Sequence, residues 1–154
     1  MRQDDHFHVR QLVSITAVLL LGTSIAANEN ANPAPQLAAV SGKITYADGS
    51  RIPGARIQLV FIPLAQVAEG QPKPRPSIAD VNVQTGEFPH MSTFEAGDGA
   101  TVGHHRIMVT VLGPDGKLSG AVPEAFSDPA TTPLRIEVEN RRNWIQFELP
   151  KPQP

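Results

Sequence analysis

The sequence contains no cysteine among its 154 residues. Disulfides, thiolate metal sites, cysteine nucleophiles and a cysteine-borne lipid anchor are therefore all excluded. Charge is sparse and balanced, with 13 Lys and Arg against 15 Asp and Glu and a formal net charge of -2. No charge excess advertises DNA, RNA or an anionic membrane, so nucleic acid is not expected as a partner. Aromatic residues make up only 5% of the chain, with a single Trp and a single Tyr. Nowhere does an apolar pattern at i, i+3, i+4 and i+7 persist, so long amphipathic helices are not expected. What the chain does have is 15 Pro and 12 Gly beside a 40% hydrophobic content, which points to a small core cut up by many turns. The length fits one domain.

Residues Leu12 to Ala27 form an uncharged apolar run, preceded by Arg2 and Arg10 and ending in small side chains at Ser24 and Ala26. This is the plan of a secretory signal peptide, with cleavage after Ala26 or Ala27, although Asp4 and Asp5 offset the two arginines. The alternative reading is an uncleaved membrane anchor, for which the run is short of the ~20 residues that span hydrocarbon; once cleaved, the chain is expected to keep no stable membrane span. Thr23 stands where a lipoprotein signal would carry its lipidated cysteine. The expected organisation is a signal peptide over 1–26, a flexible leader over 27–37, a folded domain over 38–150 and a short tail over 151–154. The expected location is the periplasm or the cell exterior.

Within the domain, short segments alternate with a period of two. Val40, Ile44 and Tyr46 share one face while Ser41, Lys43 and Thr45 share the other. Arg56 to Ile62 places Ile57, Leu59 and Phe61 together, and Val60 and Ile62 opposite them suggest a central strand covered on both sides. Ala79, Val81 and Val83 alternate next, and Thr85-Gly86 leads to Glu87-Phe88 as a hairpin. His105, Ile107, Val109 and Val111, then Leu134, Ile136 and Val138, and finally Ile145, Phe147 and Leu149 complete the series. Only Val122 to Phe126 suits a turn of helix, with Pro123 near its start. About seven strands result, and the expected fold is all-β: a seven-stranded antiparallel two-sheet sandwich of Greek-key type. Two connections, Pro63 to Pro76 and Ser119 to Pro133, are longer than a hairpin needs, and read either as binding loops or as solvated crossovers between sheets.

The string from Val40 to Gly49, followed by Ile52-Pro53-Gly54-Ala55-Arg56-Ile57, resembles the opening of carboxypeptidase regulatory-like domains. There a V-x-G-x-V strand and an acidic-Gly turn precede P-G-A-x-V. Thr85-Gly86-Glu87-Phe88 is similar to that family's D-G-x-F hairpin, with Thr85 in place of the acidic residue. Gly103 to Val109 is similar to its G-x-Y-R-V-x-V strand, with His105 in place of tyrosine. Val122 to Leu134 resembles a segment of small secreted proteins of planctomycete-type bacteria that carry this domain. The resemblance implies a prealbumin-like sandwich, non-catalytic and exported, and supplies no active site.

Candidate chemistry is thin. His104 and His105 are adjacent in a strand and so point to opposite faces, which leaves them unable to chelate one ion together. His105 lies on the apolar face and reads as a core-edge histidine with one hydrogen bond. The glycine-rich loop from Gly97 to Gly103 lacks the Lys-Ser/Thr pair of a phosphate loop and leads into a strand, so it reads as a turn. Asp48, Asp98 and Asp115 each precede glycine, but no D-x-D-x-D-G pattern gathers the oxygens calcium needs. No G-x-S-x-G elbow and no H-E-x-x-H helix occurs. Trp144 alternates against Ile145 and Phe147 and is expected to face outward, where an indole stacks on a sugar ring or covers a neighbouring loop.

No catalytic residue, metal ligand or cofactor is therefore expected. The leading expectation is an exported structural or interaction module meeting an envelope protein or glycan. The alternative is a carbohydrate- or peptide-binding module using Trp144 or the long loops. A transthyretin-related hydrolase is disfavoured, because that family ends in Tyr-Arg-Gly-Ser whereas this chain ends Leu149-Pro150-Lys151-Pro152-Gln153-Pro154.

Overall fold

The computed structural model describes residues 34–66 and 73–153. The expected signal peptide, most of the leader, the middle of the Pro63 to Pro76 connection and Pro154 lie outside the described residues. Among the described residues there are nine strands: β1 (Leu37–Ala38), β2 (Val40–Tyr46), β3 (Arg56–Pro63), β4 (Ser77–Val81), β5 (Glu87–Phe88), β6 (Ala100–Thr101), β7 (Gly103–Leu112), β8 (Arg135–Val138) and β9 (Asn143–Leu149). A single 3-10 turn, Glu124–Ser127, follows Pro123. Among the described residues no helix is long and apolar enough to cross a membrane.

The strands form a four-stranded sheet in the order β4-β3-β7-β8, a three-stranded sheet in the order β5-β2-β9, and a small β1-β6 pair. The two larger sheets pack face to face. Phe61 of β3 meets Phe147 of β9 edge-on across the interior, ring centroids 6.0 Å apart. Around them Ile44, Ile57, Leu59, Phe88, Met91, Ile107, Val109 and Leu149 are fully buried. The period-two pattern explains this core. In β3 and β7 the odd-numbered residues from Ile57 to Phe61 and from His105 to Val111 all point inward. The fold is thus an all-β sandwich.

Three expectations need correction. The described strands number nine rather than the expected seven, because β1 and β6 are two-residue elements fixed by mutual pairing and have no pattern of their own. The sandwich is not wholly antiparallel: β2 and β9 run parallel in unbroken register from Val40 opposite Asn143 to Tyr46 opposite Leu149. The fourth strand ends at Val81, two residues earlier than alternation suggested, because Asn82 begins the turn. Its Oδ1 accepts from the N–H of Gln84 at 2.8 Å, and its carbonyl accepts from Gly86 N–H at 2.7 Å. Val83 then packs on the core from the turn itself. This turn carries the chain from one sheet to the other. Val60 and Ile62 sit half-buried on the outer face of the central strand β3.

Gly42 is required by close approach. A Cβ there would lie 1.9 Å from the carbonyl oxygen of Ile145 and 2.8 Å from Cζ of Phe88. β2 therefore passes its neighbours at a distance that only glycine permits.

Candidate functional site

The outer face of the three-stranded sheet presents the most exposed large apolar side chain on a described strand. Trp144 is 64% exposed. The register sets Ser41 beside it, Lys43 beside Gln146 and Thr45 beside Glu148. Gln146 Nε2 donates to Glu148 Oε1 at 3.0 Å, which orients both side chains along the strand. On the far side of β2, Lys43 is paired in register with Glu87 of β5. The result is a polar platform with one aromatic anchor.

The backbone of β9 adds a second feature. Asn143 N–H donates to Ala39 O at 2.9 Å, and Leu149 O accepts from Ala47 N–H at 2.9 Å. In a parallel ladder alternate residues of a strand face the same neighbour, so Asn143, Ile145, Phe147 and Leu149 turn their peptide groups to β2. Trp144, Gln146 and Glu148 turn theirs to the open side of the sheet. Asn143 also organises the entry to the strand. Its side chain accepts from Glu139 N–H at 3.0 Å and donates to Glu139 O at 3.0 Å and to Arg141 O at 2.6 Å.

The histidines are kept apart. His105 is 1% exposed and packs on Phe61, centroids 6.0 Å apart. Its Nδ1 lies 2.9 Å from Gly103 O and therefore carries the hydrogen. The other ring nitrogen, Nε2, has no partner. Burial pushes the His105 pKa down, with a small push in the same direction from His104 and an opposing one from the Gly103 carbonyl. His104 is exposed on the opposite face, and His90 is exposed beside Gly97. Among the described residues no three His, Asp or Glu side chains are grouped to hold a metal ion.

The Asp-Gly positions serve the backbone. Asp98, half-buried, accepts from the N–H groups of Thr93, Phe94 and Glu95 at 2.6, 2.8 and 2.9 Å. Burial alone would raise its pKa; these N–H donors outweigh burial and hold the carboxyl below its usual range. Gly99 follows at φ +103, a conformation other residues rarely adopt, with Ala38 O 2.2 Å from where a Cβ would sit. Asp115 accepts from Lys117 N–H at 3.1 Å in a tight turn. Asp48 is held below the carboxylate range first by Lys151, whose Nζ lies 2.6 Å away, and then by Ser50. Lys151 also sits 5.5 Å from the centroid of the Tyr46 ring, so the start of the tail is tied to the sandwich.

The Ser119 to Pro133 connection is likewise pinned down. Thr132 is buried and its hydroxyl donates to Ile107 O at 2.6 Å, Ser127 Oγ donates to Val109 O at 3.0 Å, and Phe126 enters the core. It is a packed crossover. An open depression remains between Leu118, Val122, Pro123 and Pro152, with Leu118 65% exposed.

The outward position of Trp144 and the inward position of His105 were readable from strand alternation. Sequence reasoning did not find the clamp made by Asp98, the loop staple made by Asn143 or the open backbone of β9. For Asn143 the available signal was an amide beside a charged four-residue turn; for β9 there was none, because sheet order is not written in alternation. No family model matches this chain, and neither a curated protein nor a solved structure matches it.

Proposed function

We propose that this chain is an exported, non-catalytic β-sandwich that works as a structural or interaction module of the cell envelope, meeting an envelope protein or glycan. The observation that carries the reading is Trp144, a large apolar side chain held 64% exposed on a rigid strand beside hydrogen-bonding groups. Anchors of this kind dominate interface energetics, whereas loops that hold their own carboxylates and hydroxyls in backbone bonds have few groups left for chemistry. The apolar run before Ser24 and Ala26 supports export. The turn and strand motifs from Val40 to Ile57 support a prealbumin-like frame of the carboxypeptidase regulatory-like kind.

The test compares capture from the envelope fraction by the wild-type protein and by Trp144→Ala. A defined partner retained by the wild type and lost by about tenfold or more in the variant is expected. Turnover of any compound in an untargeted metabolite screen, or recovery of the full-length chain from the cytoplasm, defeats the reading.

A second reading has its own support. Trp144 has Ser41 on one side and the Gln146–Glu148 pair on the other, an aromatic face rimmed by donors and acceptors as a sugar ring requires. A glycan array probed with the wild type and Trp144→Ala separates this from protein binding.

A further inference from the structure

Open strand edges attract other strands, and sandwiches blunt them with short length, charges, proline, bulges or cover. The described edges differ sharply in this respect. On β4, Ile78 exchanges two backbone hydrogen bonds with Ser92, at 2.8 and 2.9 Å, and Asp80 next to it is charged. β8 has four residues, and the ladder to β7 leaves Arg135 and Glu137 as the ones whose peptides face outward. β5 has two residues. β9 has seven, pairs without a bulge, contains neither Pro nor Gly, and carries one charge, Glu148. It is the unguarded edge among the described residues.

We propose that β9 pairs antiparallel with β9 of a second copy about a two-fold axis through Gln146, extending the sheet to β5-β2-β9-β9-β2-β5. The occupant follows from self-complementarity of the register. In this pairing Trp144 faces Glu148 of the second copy, and Gln146 faces its own counterpart. All three outward-turned residues then form hydrogen-bonded pairs, giving about six interstrand bonds. The one acidic side chain of the strand meets an indole that can donate to it rather than a second carboxylate. The one residue that meets itself is an uncharged amide, which both donates and accepts. On the inner side, half-buried Ile145 comes opposite Phe147 in the closer, non-hydrogen-bonded position. Centring the axis on Ile145 or Phe147 would leave two hydrogen-bonded pairs within the strands in place of three, centring it on Glu148 would set two carboxylates face to face, and centring it on Trp144 would carry Glu148 past the end of the partner strand. The envelope role needs no self-association, so the two stand or fall separately.

Because the chain has no cysteine, single introduced thiols report the register directly. In the full chain under mild oxidation, Gln146→Cys is expected to yield a disulfide-linked dimer as the main product. The paired Cα atoms would lie about 5.5 Å apart, within disulfide reach. Trp144→Cys, about 14 Å from its own counterpart, is expected to stay monomeric, and Trp144→Cys combined with Glu148→Cys to cross-link again. Gln146→Lys, which sets two ammonium groups opposite one another, should weaken self-association at least about tenfold by sedimentation while leaving the fold unchanged by circular dichroism. The proposal is overturned if Gln146→Cys dimerises no better than Trp144→Cys or Glu137→Cys on β8, or if its thiol is trapped on a different protein.

Discussion

His105 is fixed in protonation state as well as in place. With Nδ1 donating to Gly103 O, Nε2 presents a lone pair to the core, and no donor meets it. A proton added at Nε2 would be a buried charge with nothing to accept its hydrogen bond. Burial lowers the folded pKa below the ordinary value of 6.5, so the unfolded chain takes up the proton first as pH falls. Stability is then complete above about pH 6.5, declines below it, and levels off beneath the lowered folded value. The urea midpoint is expected to drop between about pH 7 and pH 5, and His105→Phe, which fills the same space beside Phe61 without titrating, should flatten that drop. A variant whose midpoint falls in parallel with the wild type would remove His105 as the cause. Asp98 acts with the opposite sign of charge and in a more acidic range. Its depressed folded pKa contributes stability that is lost as pH falls below about 4. The sequence made the burial of His105 legible, since it alternates with Ile107 and Val109. It could not show the clamp at Asp98, because Asp before Gly reads as a turn whether its carboxylate holds one N–H or three.

The pairing of β2 with β9 depends on Gly42 at the scale of elements. A methyl group there would sit 1.9 Å from Ile145 O, a backbone atom unable to rotate away, and 2.8 Å from the Phe88 ring. Gly42→Ala must therefore push β9 or β5 outward, and a loss of about 3 kcal/mol or more by chemical denaturation is expected, at the upper end for overpacking. The second sheet should show it first, as faster amide exchange at Ile44 and Phe147 than at Leu59 and Val109. Equal acceleration in both sheets would mean that the clash is relieved elsewhere. Element positions were largely legible, because β2, β3, β7 and β9 each bury one face and so carry the period of two. Their directions were not. Alternation records which side of a sheet a residue occupies and nothing about which strand lies next to it, so the parallel β2–β9 pair and the open edge of β9 had no signature. The end of β4 was misplaced because Val83 is apolar for packing from a turn rather than for membership of a strand.

For the whole molecule, Phe61 is the joint between the layers. It belongs to the four-stranded sheet, meets Phe147 of the other sheet edge-on, and lies against His105. Phe61→Ala is expected to cost about 3–5 kcal/mol. Because one core serves both sheets, far-ultraviolet and near-ultraviolet circular dichroism should still lose signal in a single coincident transition. Separate transitions would show that the sheets hold together independently. The sandwich class was legible from strand count and spacing, while the division into three- and four-stranded layers was set by crossovers such as the Asn82 turn, whose direction depends on tertiary packing.

The parallel pair also governs when the molecule can form. β2 is among the first strands to be synthesised and occupies the middle of its sheet, yet one of its two neighbours is β9, about one hundred residues later in the chain. Before β9 is made, β5 with its two residues is the neighbour that β2 has among the described strands. The nascent chain therefore cannot close its second layer early. Until β9 has been made, that layer consists of β2 and the two residues of β5, and the core between the sheets stays incomplete.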